Sequence, residues 1–162
     1  MFVLLEINMK LSCLLLTLIL LSNIFYGQET LVKKQFLIVG STKDYSYALK
    51  IAESIADDLK LKLDLRGLYY DESYGLTFKK SVCEEEIGYF PCYLARGRYD
   101  NGSYVSIEMS DSYQGFSKGY YIVIIASYSD NKEEMEALLK NTKEYIPDAY
   151  IKSSNVYLGC IH

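Results

Sequence analysis

The chain has 162 residues, a formal net charge of −4, one histidine, no tryptophan and 17 tyrosines. That length leaves room for one domain with a core and excludes two once a leader is set aside. The acidic balance excludes the basic surface a polyanion needs, so no nucleic-acid partner is expected, and a lone terminal His162 without a Cys-x-x-Cys pair predicts neither metal nor cofactor.

Residues 11–26 read LSCLLLTLILLSNIFY, an apolar run after Lys10 and before Gly27. A charged start, an apolar stretch and a small residue in that order predict an export signal over residues 1–27, removed near Gly27. The run is shorter than the roughly 20 apolar residues a membrane span requires, so no span is expected after cleavage. The mature part, residues 28–162, is then a secreted or periplasmic αβ domain. In such a compartment Cys83 and Cys92 are expected to form a disulfide closing a short loop, worth on the order of 2 to 3 kcal/mol by chain entropy.

Phe36-Leu-Ile-Val39 is a short continuous apolar run and predicts a buried strand ending at Gly40-Ser41. Asp44 is placed to cap a helix whose apolar stripe is Ala48, Ile51, Ala52, Ile55, Ala56 and Leu59. Leu61, Leu63 and Leu65 alternate with Lys62 and Asp64, which predicts a strand ended by Gly67. The same order returns at Ile122-Val-Ile-Ile125 and Ala126-Ser127. Asp130 is the expected cap with Glu133 as its partner, Met135, Leu138, Leu139, Thr142 and Ile146 form the stripe, and a strand begins over residues 149–151 after Pro147. Two βαβ halves, residues 35–67 and 120–157, are therefore expected around an insertion at residues 68–118. Within the insertion, residues 92–96 and 104–108 flank Asp100-Asn101-Gly102, and that turn predicts a β-hairpin.

No Gly-x-Ser-x-Gly elbow, Walker loop, Gly-x-Gly-x-x-Gly or His-Glu-x-x-His stands in the chain, so no catalytic residues are assigned. The cluster suited to recognition is Tyr93, Arg96, Arg98, Tyr99, Tyr104 and Glu108, which brings aromatic rings and forked donors to the predicted hairpin. Arg96 and Arg98 share a face of such a ladder. Arg96 either meets ligand beside Arg98 or pairs with Glu108 across the strands.

Gln35-Phe-Leu-Ile-Val-Gly-Ser41 and Tyr121-Ile-Val-Ile-Ile-Ala-Ser-Tyr-Ser-Asp130, the latter followed by Glu133-Glu-Met-Glu-Ala-Leu-Leu139, resemble the SPOR (sporulation-related repeat) domain. The resemblance implies a βαββαβ sheet and an envelope protein that binds glycan strands of peptidoglycan on its open face. Here the strands are apolar at every position, as in strands buried on both faces, so the insertion is expected to cover that face. The expectation is thus a ferredoxin-like or SPOR-like α+β sandwich with an inserted hairpin, acting as a non-enzymatic binding module for cell-wall glycan. An envelope protein as partner, in an interaction or inhibitor role, is the alternative reading, and a hydrolase using an unrecognised carboxylate pair is a second.

Overall fold

A computed structural model describes residues 31–129 and 131–159. The expected signal over residues 1–27, the Asp130 cap, Cys160 and His162 lie outside the described residues. Among those described, no helix is long and apolar enough to cross a membrane.

In chain order the elements are β1 (Leu31–Thr42), α1 (Tyr45–Leu59), β2 (Tyr69–Asp71), β3 (Gly75–Thr77), α2 (Lys80–Glu86), β4 (Gly102–Met109), β5 (Tyr121–Tyr128), α3 (Lys132–Thr142) and β6 (Tyr150–Tyr157). Four of the strands form one sheet in the order β4-β5-β1-β6, with every neighbouring pair antiparallel. The units β1-α1-β4 and β5-α3-β6 interleave in that order, which is the ferredoxin-like α+β arrangement.

Local chemistry explains both main helices. Asp44 accepts from the Tyr47 amide at 3.0 Å, and α1 turns Ala48, Ala52, Ile55 and Ala56 inward. In α3 the observed cap is Asn131, which accepts from the Glu134 amide at 3.3 Å, one residue beyond the expected cap and partner. Asp and Asn both cap well, and the helix starting at Lys132 selects the second of the tandem pair. Both helices pack on one face of the sheet, over Leu37, Val39, Val105, Ile107, Val123 and Ile125.

The placement of the insertion corrects the sequence reading. Leu61, Leu63 and Leu65 do turn toward the core, but this segment is not the second strand of the first half. It lies outside β4, joined through a parallel bridge between Leu63 and Val105, where Val105 N–H donates to the Lys62 carbonyl and Asp64 N–H to the Val105 carbonyl, each at 2.8 Å. Arg66 and Gly67, with φ of 57° and 74°, then turn the chain away from the sheet. The long excursion therefore interrupts the first half between α1 and β4, and the two halves are joined only by the short stretch from a 3₁₀ turn at Ser110–Ser112 to β5. The inserted hairpin is β2-β3, not residues 92–96 with 104–108. Residues 104–108 belong to β4, whose ladder partner is β5, while residues 92–101 form no strand. The disulfide joins Cys83 on α2 to Cys92, as expected.

The face opposite the helices is covered, as the uninterrupted apolar strands require. Phe36, Ile38, Ile122, Ile124 and Val156 are buried there with Tyr113, whose ring meets Phe36 edge-on at 4.9 Å between centroids. Gly97 presses from the insertion onto the same ring, where a Cβ would stand 3.0 Å from a Phe36 ring carbon.

Candidate functional site

The loop over residues 92–101 crosses the covered face and is tied at its start by the disulfide. At its far end Gly97 N–H donates to the Asp100 side chain at 3.0 Å, and the chain turns at Arg96 and Gly97 and bends at Arg98 and Tyr99, so the turn expected at Asp100-Asn101-Gly102 is absent there and those residues lead directly into β4. Arg96 and Arg98 consequently do not share the face of a ladder, and the loop sends their side chains to different places.

Arg96 is 0% exposed. Its guanidinium donates to the carbonyls of Gly102, Tyr104 and Ile124 at 2.8–2.9 Å, to Ser106 Oγ at 3.0 Å and to Ser127 Oγ at 3.3 Å. These partners surround the irregular register between Ser103 and Ser106, where the β4-β5 ladder leaves carbonyls without amides. The Tyr104 ring centroid lies 3.5 Å from the guanidinium carbon, a cation–π contact in a dry setting. Burial lowers the Arg96 pKa, with Tyr104 and Glu108 opposing that shift.

Glu108 is equally buried, and its ion pair is with Arg66 rather than the Arg96 guanidinium. Arg66 Nε and Nη2 donate to the two carboxylate oxygens at 3.1 and 2.8 Å, a side-on fork. The Arg96 amide adds a bond at 3.2 Å, and the Tyr93 and Tyr113 hydroxyls lie 2.5 and 3.4 Å away. Burial raises both tyrosine pKa values well above the ordinary value, and the Glu108 charge raises them further. For Arg66, burial disfavours the charge, but Glu108 and the surrounding tyrosines outweigh it and the pKa rises.

What remains accessible is a cleft of about 400 Å³ lined by Asp64, Arg66, Phe78, Leu94, Arg98, Tyr99 and Tyr104 among others. Tyr99 stands out from the surface with 72% of its area exposed. Tyr104 contributes its flank, with its hydroxyl donating to Asp100 and its pKa raised by burial. Asp64 accepts from Lys62 Nζ at 2.6 Å and from the Arg66 amide at 2.8 Å, and these bonds hold its carboxyl below the ordinary value of 3.8. A second hollow of about 440 Å³, lined by Phe78, Val82, Glu86, Ile87, Cys92, Leu94 and Tyr99, shares Phe78, Leu94 and Tyr99 with the cleft. Among the described residues no three His, Cys, Asp or Glu side chains gather as a metal site would require.

Of the six residues expected to meet a ligand, Arg98, Tyr99 and Tyr104 line the cleft, while Arg96 and Glu108 are structural and Tyr93 is mainly engaged with Glu108. Sequence reasoning missed Asp64 and Arg66, because it read residues 61–65 as the end of a half. The signal that could have found them is the charged Asp64-Leu65-Arg66-Gly67 exit from an alternating run. Comparison with family models, with curated proteins and with solved structures yields no match for this chain.

Proposed function

We propose that the chain is an exported, non-enzymatic binding module whose ligand is a glycan strand, such as that of the cell wall, taken into the cleft of Arg66, Arg98, Tyr99 and Tyr104. The observation that carries this reading is the exposed Tyr99 ring beside Arg98 in a cleft that also presents Asp64 and Asp100. A ring offers a platform for the apolar face of a sugar, and fixed donors and acceptors around it suit hydroxyl groups. The sheet face opposite the helices, where the resemblance to SPOR domains would put a glycan, is filled by Tyr113 and Gly97 in this chain. Export is supported by the apolar run at residues 11–26.

The hydrolase alternative would need a carboxyl held protonated near neutral pH to act as a general acid. Asp64 is biased the opposite way, since its hydrogen bonds favour the ionised form. The protein-partner alternative draws on one feature, the apolar hollow of Phe78, Val82, Ile87 and Leu94 that continues from the cleft.

Cosedimentation with purified peptidoglycan separates these readings. The chain as recovered from its producing cells is expected to pellet, and Tyr99→Ala is expected to reduce pelleting while leaving the thermal midpoint within a degree or two, as for a surface change. A chain that stays in the supernatant contradicts the glycan reading and favours a protein partner.

A further inference from the structure

The donors and acceptors around the cleft are unevenly committed. Asp64 is occupied by Lys62 and the Arg66 amide, and Asp100 by Gly97 and Tyr104. Arg66 spends one edge of its guanidinium on Glu108. Arg98 differs from all of these. Among the described residues it has no carboxylate within ion-pair distance. Its Nη2 donates to the Gly159 carbonyl, and its Nε is buried without a hydrogen-bond partner among the described residues. A buried donor left unmade is the costly side of hydrogen-bond energetics. The Tyr99 and Tyr157 ring centroids lie 5.0 and 5.3 Å from the Arg98 guanidinium carbon, so aromatic rings flank the cation.

We infer that Arg98 is the receptor for a carboxylate on the ligand, which meets the guanidinium end-on at Nη1, the nitrogen that is neither sealed from solvent nor donated to Gly159. The planar guanidinium presents Nη1 to a carboxylate in its own plane, and the flanking rings limit approach from elsewhere. A single negative charge fits the surroundings. Asp64 and Asp100 balance Arg66 and Arg98 in formal charge around the cleft, so a dianion such as phosphate meets two carboxylates and only one uncommitted cation. The inference rests on the cleft being the binding site proposed above and adds the chemical group that the ligand must carry.

The experiment is calorimetric titration with N-acetylglucosaminyl-N-acetylmuramic acid, with its methyl ester, and with acetyl-alanyl-alanine as free acid and as amide. The acid saccharide is expected to bind about tenfold more tightly than its ester, the ratio that one charge-assisted hydrogen bond supplies. Arg98→Gln is expected to bring the two to equal affinity without weakening the ester. Equal binding of acid and ester to the native chain overturns the carboxylate assignment and leaves the glycan reading in place. Binding of neither saccharide, with the free dipeptide acid preferred over its amide and that preference lost in Arg98→Gln, upholds the assignment and removes the glycan reading. Binding of none of the four ends both. Should Arg98→Gln fail to fold, the acid-to-ester ratio of the native chain decides alone.

Discussion

Glu108, Arg66, Tyr93, Tyr113 and the Arg96 amide form one buried polar network in which the carboxylate draws donors from several segments. Such networks are secure only when each member is satisfied, because an unpaired charge in a dry interior is far costlier than an unpaired charge at the surface. Two of the donors are phenols that burial holds protonated, and the Glu108 charge close by adds to that effect. The sign of the pH effect follows. Below the ordinary tyrosine value of 10.0 both states keep the proton and stability is unaffected, whereas above it the unfolded chain ionises and the folded chain resists. Stability should therefore fall as pH rises through 10.0, and the fall should be shallower in Tyr113→Phe than in the native chain. Urea unfolding at stepped pH values checks this, and identical alkaline slopes would show that Tyr113 does not carry the effect.

At the level of elements, the strand β1, the helix α1 and the pair β5-α3 were legible because their periodicities are set by burial alone. Phe36-Leu-Ile-Val39 had to lie between two layers, and it does, with helices on one side and Tyr113 and Gly97 on the other. The second strand of the first half was misplaced for a physical reason. Leu61, Leu63 and Leu65 satisfy strand periodicity and pack on the core, yet the segment spends its backbone on a single bridge and yields the ladder to β4. The Asn101-Gly102 signal misled, because the chain turns earlier, at Arg96 and Gly97, and Gly102 already opens β4. Gly97 carries the contact between the insertion and the sheet, and its role can be isolated. Gly97 and Gly88 both have φ near 90°, at 89° and 90°, but a Cβ at Gly88 meets nothing within 4 Å. Gly88→Ala should then cost about 1–2 kcal/mol from backbone strain alone. Gly97→Ala should cost a further 1–3 kcal/mol, about what overpacking against a buried ring demands. Equal losses in chemical denaturation would mean that the loop is not pressed onto Phe36.

For the whole molecule, the fold class could be read from the order of apolar runs, while the site could not, because it is assembled from residues far apart in sequence. Asp64 and Arg66 arrive on the outer edge of β4, whereas Arg98, Tyr99 and Asp100 arrive on a loop crossing the opposite face. Arg96, which composition placed among the binding residues, was drawn inward by carbonyls that only the β4-β5 irregularity leaves unpaired. The excursion between α1 and β4 thus does two things at once in this account: with the β4-β5 connection that carries Tyr113 it closes the sheet face, and it builds a cleft beside it. The most direct test of that claim is a backbone-amide NMR map of the folded chain titrated with a soluble peptidoglycan glycan fragment. Shifts are predicted to concentrate at residues 64–66 and 94–104, with the amides of Ile122 and Ile124 on the covered face unmoved; shifts centred on β1 and β5 with the cleft silent would contradict it.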